Sequence, residues 1–187
     1  VTSNGRISGA YNVSNTLILR TANAPIDTSV QLIHDGSSAS TSATLESSNG
    51  RLAAEFVLAA TTPSTWGGTF KVRAHTSNSP LSVVIKDSPA DSALALNART
   101  SLGRATAALH RAFEGRFAAH TSLGRVALST PHVDDPRGAG RERIVDGITW
   151  DRGRTSVSGL VHWDDEEAAK RGSVVLATTN APIELIV

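Results

Sequence analysis

The chain has 187 residues, of which 40% are hydrophobic and only 4% aromatic, with no Cys and a formal net charge of +1. A balance so near neutral gives no electrostatic case for nucleic acid or an anionic membrane as partner, and the absence of Cys excludes a disulfide framework and a thiolate metal site. No apolar run approaches the roughly 18–20 residues that a membrane-spanning helix requires.

One short phrase recurs seven times, at 2–7 (TSNGRI), 21–26 (TANAPI), 47–52 (SSNGRL), 76–81 (TSNSPL), 100–105 (TSLGRA), 121–126 (TSLGRV) and 178–183 (TTNAPI). Each copy enters on two hydroxyl or small residues, bends in the middle and leaves on an apolar residue. Recurrence at roughly 20–30 residues marks a chain that stacks copies of one unit. Asn-Gly is read as a sharp bend through the left-handed conformation. Asn-Ala-Pro and Asn-Ser-Pro reach a bend by Pro fixing its own φ and holding the preceding residue extended.

Between the phrases, in chain order, lie short segments rich in branched residues at 16–19, 30–33, 43–45, 54–58, 69–73, 81–85 and 93–96. Their length and their Gly, Pro, Asn and Ser boundaries predict strands. The Ala-, Leu- and Arg-rich stretch 90–119 has helical propensity, but Gly103, Gly115 and the phrase copy at 100–105 interrupt it and another copy follows at 121–126, so strand is expected there too. Residues 131–172 form a charged insertion: a loop through 130–140, a hairpin around Trp150 and Trp163, and a short helix at 164–171, where acids lead and bases trail. Strands resume at 174–176 and 184–187. The expected fold is all-β, a single domain over 1–187. It is a right-handed β-helix-like solenoid of about seven to eight short coils, with a β-sandwich as the alternative, in which the phrases are hairpin turns.

In register, the turns would place Asn4, Asn23, Asn49, Asn78 and Asn180 in a side-chain ladder, about 4.8 Å from one strand to the next. Leu102 and Leu123 replace Asn in two copies and interrupt it. The mostly Arg composition of the basic residues suits ion pairing between neighbouring turns.

The order of GRISGAY at 5–11, LESSNG at 45–50, FEGRF at 113–117, TSLG at 121–124 and the last Thr-Thr-Asn turn resembles an uncharacterised domain of basidiomycete fungi, similar in style to adhesin-type β-helix domains of unknown function. The resemblance implies a β-solenoid and no activity.

No nucleophile elbow, phosphate loop or His-Glu-x-x-His is present, and no cofactor or metal is expected. Two functional classes remain. The first is a non-catalytic structural or interaction module that forms a homo-oligomer or filament. Its assembly edge is expected at the apolar C-terminus, on Ile183, Leu185 and Val187, because solenoid ends must be capped or paired. The second is a protein that binds or cleaves polysaccharide, with Trp66 as a sugar platform and Asp134, Asp135, Asp164 and Asp165 as candidate carboxylates. Met is absent even at position 1, so a trimmed form is expected, with cytoplasmic and secreted locations both open.

Overall fold

A computed structural model describes residues 1–37, 39–61, 67–163 and 172–187. Among them are fifteen strands and no helix. In chain order these are β1 (Ile7–Val13), β2 (Thr16–Thr21), β3 (Ile26–His34), β4 (Thr41–Ser47), β5 (Leu52–Ala60), β6 (Thr69–Thr76), β7 (Leu81–Asp87), β8 (Ala93–Arg99), β9 (Ala105–Ala108), β10 (Gly115–Thr121), β11 (Val126–Ser129), β12 (Ile144–Trp150), β13 (Ser156–His162), β14 (Ser173–Thr178) and β15 (Ile183–Ile186). The helix expected at 164–171 lies outside the described residues. No helix among the described residues is long and apolar enough to cross a membrane.

The strands form two sheets. One runs β1-β3-β5-β7-β9-β15-β11 and is parallel throughout; the other runs β12-β13-β10-β14-β8-β6-β4-β2 and is parallel except where β13 meets β12 and β10. From β1 to β11 the chain alternates between sheets, and each internal copy of the phrase is the turn from the eight-stranded sheet into the seven-stranded one. Every residue that leaves the phrase falls into one row, Ile7, Ile26, Leu52, Leu81, Ala105, Ile183 and Val126, each paired with the next.

Alternate residues of both sheets meet in the space between them. In the seven-stranded sheet Val30, Phe56 and Ile85 stack in register, and in the other Leu45, Ala74, Ala98 and Leu176 do so, all buried. Where Phe117 needs room, its partner on β13 is Gly159, whose missing side chain would come within 2.6 Å of the ring. Burial of such strands on one face explains the alternating pattern of the sequence.

The last two strands do not end the array. β14 sits between β8 and β10, and β15 between β9 and β11, so the chain leaves one place open in each sheet and returns from 172 onward to fill it. This corrects the expected assembly edge. Ile183, Leu185 and Val187 are at most 1% exposed, and β15 is hydrogen-bonded on both sides.

The phrase glycines also act differently from the expectation. None of Gly5, Gly50, Gly103 and Gly124 has positive φ, and neither do the phrase asparagines. The constraint is close approach: a Cβ on Gly50 would lie 1.8 Å from the Ala24 carbonyl oxygen, and on Gly103 1.9 Å from that of Ser79. Gly5, in the first copy, would meet only the Thr2 side chain, at 2.9 Å. A Gly103→Ala variant is therefore expected to lose about 3 kcal/mol or more of stability, with Gly5→Ala within about 1 kcal/mol of the parent. Urea unfolding followed by circular dichroism reads both, and equal losses would refute the close-approach account.

Candidate functional site

Two surfaces are built by the repeat: the column of turns and the outer face of the eight-stranded sheet. In the column the backbone N–H groups of the second and third phrase residues both donate to the second-residue carbonyl of the neighbouring copy. Ala22 and Asn23 donate to Ser3, Ser48 and Asn49 to Ala22, Ser77 and Asn78 to Ser48, Ser101 and Leu102 to Ser77, Thr179 and Asn180 to Ser101, and Ser122 and Leu123 to Thr179, all at 2.8–3.1 Å. The first-residue hydroxyl donates to the fourth-residue carbonyl of the same neighbour, as Thr76 does to Gly50 at 3.1 Å and Thr100 to Ser79 at 3.0 Å. These hydroxyls are buried because their partner is backbone, which satisfies groups that a buried turn would otherwise orphan.

Outside this column the asparagine amides form a second one. Asn23 donates through Nδ2 to Asn4 Oδ1 at 2.7 Å, Asn49 to Asn23 at 2.7 Å and Asn78 to Asn49 at 2.6 Å. The next positions in space are Leu102, Asn180 and Leu123, so Asn180 stands between two leucines that are 53% and 78% exposed. At the far end Val126 donates to Arg154 and Thr121 to Thr155, so the β12–β13 turn closes the column in place of another copy. Asp151 ties that turn by accepting from the Thr155 and Ser156 amides, at 2.7 and 2.8 Å, and the Arg154 guanidinium lies 5.4 Å from the Trp150 ring centre.

On the outer face of the eight-stranded sheet, strand alternation brings out Arg20 (β2), Glu46 (β4), Lys71, Arg73 and His75 (β6), Asn97 and Arg99 (β8), Arg116 and His120 (β10), and Asp146 (β12). Glu46 pairs with Arg20 at 2.9 Å and Arg73 at 3.7 Å. Lys71, Arg99 and Arg116 have no acidic partner among the described residues. Arg73, His75, Asn97 and Arg99 line one depression of about 210 Å³. A second, of about 480 Å³, is lined by Arg116, Ala118, Asp146, Ser158, Leu160, Val175 and their neighbours. The opposite sheet presents Asp27, Glu55 and Glu184 outward, and Asp27 draws in Arg6 at 3.2 Å and Arg51 at 3.4 Å.

Of the carboxylates singled out in the sequence, Asp134 and Asp135 lie within the described residues, and they are not brought to either surface as a pair. Asp134 is exposed. The side chain of its neighbour Asp135 is 3% exposed and accepts from Arg141 through Nη2 at 2.7 Å and Nε at 3.1 Å, and from the Arg137 and Ala139 amides. The Arg141 guanidinium and these amides hold its carboxyl well below the usual carboxylate range, which makes it the clamp of the 131–143 loop. Asp164, Asp165 and Trp66 lie outside the described residues. Trp150 and Trp163 stand at opposite ends of the β12–β13 hairpin, so they do not pair across it; Trp163 is buried and donates to the Arg111 carbonyl at 3.2 Å. His75 and His120 share the outer face, but β8 and β14 separate their strands. No group of three or more His, Cys, Asp or Glu that could hold a metal ion is found among the described residues.

Among known proteins, a family model described as a domain of unknown function (DUF7330) matches residues 1–133, which end just after β11. No curated protein matches, and neither does any solved structure.

The broken ladder provides a test of the column. Leu102→Asn would bridge Asn78 to Asn180 and create two amide contacts while giving up a half-exposed side chain. The expected gain is about 0.5–1.5 kcal/mol, seen as a higher urea midpoint at unchanged m-value. The same substitution in an Asn180→Ala background should give a smaller gain, and equal gains would remove the ladder as its cause.

Proposed function

The chain belongs to the DUF7330 family, whose function is unknown, and we propose that it is a non-catalytic β-solenoid over residues 1–187, with 131–172 as an insertion, serving as a structural interaction module. In this reading each phrase turn is a corner, and the module associates with a second copy through its N-terminal end.

Both ends of the array leave edge strands, β11 and β12 at one and β1 and β2 at the other, and what supports the reading is the turn cap at the first against the uncovered core at the second. At one end the β12–β13 hairpin takes the place of a further copy of the phrase. At the other, β1 pairs only with β3, and β2 only with β4. There Ile7, Tyr11, Val13 and Leu17 pack against the core yet stay half-exposed, and Asn4 accepts from Asn23 without donating its own amide among the described residues. Two parallel edges side by side, with apolar residues between them, present unpaired backbone groups and uncovered core together, the combination that recruits another strand. Rod-like adhesin-type display of a binding face is the use that such a module suits.

Light scattering on a size-exclusion column should show mass rising with concentration across roughly the micromolar to 100 micromolar range. Tyr11→Lys places a cation on the open end and should hold the protein monomeric, whereas Glu184→Lys, in the internal β15, should leave association intact. A monomer at every concentration would overturn the association.

A further inference from the structure

We propose that the outer face of the eight-stranded sheet binds a polyuronate, a polysaccharide chain bearing carboxylates on successive sugars, laid across β6, β8, β14, β10 and β13. The site is independent of the end-to-end association proposed above, since it uses a face and not an edge.

This face carries five Lys and Arg side chains against Glu46 and Asp146, although the whole chain is nearly neutral. Glu46 is shared between Arg20 and Arg73, which leaves Lys71, Arg99 and Arg116 to attract an anion from solvent. The Arg99 guanidinium is oriented by its Nε donating to Asn97 Oδ1 at 2.9 Å, so its terminal nitrogens stay available. Arginine presents a planar fork that matches a carboxylate, and such charge-assisted pairs are among the stronger contacts at a surface.

Shape adds the second constraint. Apart from Asn97 on β8 and Arg116 and His120 on β10, the outward residues between the cations of β6 and β8 and the hairpin strand β13 are small: Ala95 on β8, Ser173, Val175 and Ala177 on β14, and Ala118 on β10. Ala118, Ser173 and Val175 line the second depression, and Ala95 and Ala177 lie beside them on the face. Five strands span about 19 Å at the usual spacing, room for several sugars of an extended chain. Val175 and Ala118 offer apolar contact to sugar C–H groups, and Ser158 and Ser173 offer hydroxyls.

A single-stranded nucleic acid is the competing polyanion. Proteins that bind it stack its bases on aromatic rings, and here Phe70 and Phe117 point inward and are buried, while the outward residues of these five strands include no ring of Phe, Tyr or Trp.

Titration calorimetry of the full chain with a polygalacturonate oligomer tests the site. Saturable binding is expected, weakened by salt and by about tenfold or more in the double variant Arg99→Ala/Arg116→Ala, with an unchanged melting temperature because both side chains are exposed. Arg104→Ala, on the turn column, should bind like the parent, and neutral galactan should not bind. No binding of polygalacturonate, binding indifferent to the double variant, or tighter binding of oligo(dT) or of a heparin oligosaccharide would each overturn the assignment. Light scattering of the double variant should match the parent, so failure of this site and failure of the end association are read separately.

Discussion

At every step of the turn column, two backbone N–H groups converge on one carbonyl of the neighbouring copy, and a buried hydroxyl caps the carbonyl two residues further on. A turn between two sheets is where backbone polar groups are most easily stranded, since neither sheet's ladder reaches them. Here the neighbour satisfies them each time, and the register of the turns fixes that of the strands. A slip by one residue would turn each strand's apolar side outward, so the same hydrogen bonds that close the turns keep the core between the sheets.

Spatial order in the column alternates strictly between two kinds of copy. Gly-Arg copies at 5, 50, 103 and 124 are interleaved with the Ala-Pro or Ser-Pro copies at 24, 79 and 181. A Gly-Arg copy rests its glycine against the carbonyl that precedes the proline in the copy before it, with no space for a Cβ. Along the chain the alternation fails once, where two Gly-Arg copies follow one another at 103 and 124. The copy with Pro182 arrives late and restores it by inserting between them. Alternation was thus a visible signal for the inserted strands, and only its physical meaning, contact between unlike neighbours, was missing. Reading glycine as a source of positive φ concealed that meaning, because a conformational role concerns one residue while a contact concerns two.

Strand type was legible over most of the chain, because two-residue periodicity and phrase punctuation are local properties, but the segments read were cores of longer strands, 30–33 within Ile26–His34 and 43–45 within Thr41–Ser47, and β1 was not read as a strand. The apolar C-terminus looked like an open edge for the same reason: Ile183, Leu185 and Val187 are as apolar as any edge, and only topology shows that β9 and β11 flank them. The cationic face was hidden by averaging. Lys71, Arg73, Arg99 and Arg116 share one side of one sheet, and acids such as Asp27 and Glu55 lie on the other sheet, so their sum is close to zero. Assigning alternate strands to alternate sheets, and then alternate residues to alternate sides, separates the two.

The fold depends on the spatial order of the turns, and the Cys-free sequence makes that order directly measurable. Neighbouring turns lie about 4.8 Å apart, within the reach of a disulfide, while turns two steps apart, about 9.6 Å, are beyond its limit of roughly 7 Å. Leu102→Cys with Asn180→Cys should therefore oxidise to an intramolecular disulfide in the folded protein, and Leu102→Cys with Leu123→Cys should not. A disulfide in the second variant, with both thiols of the first left free, would show that the turns stack in chain order and would contradict the account.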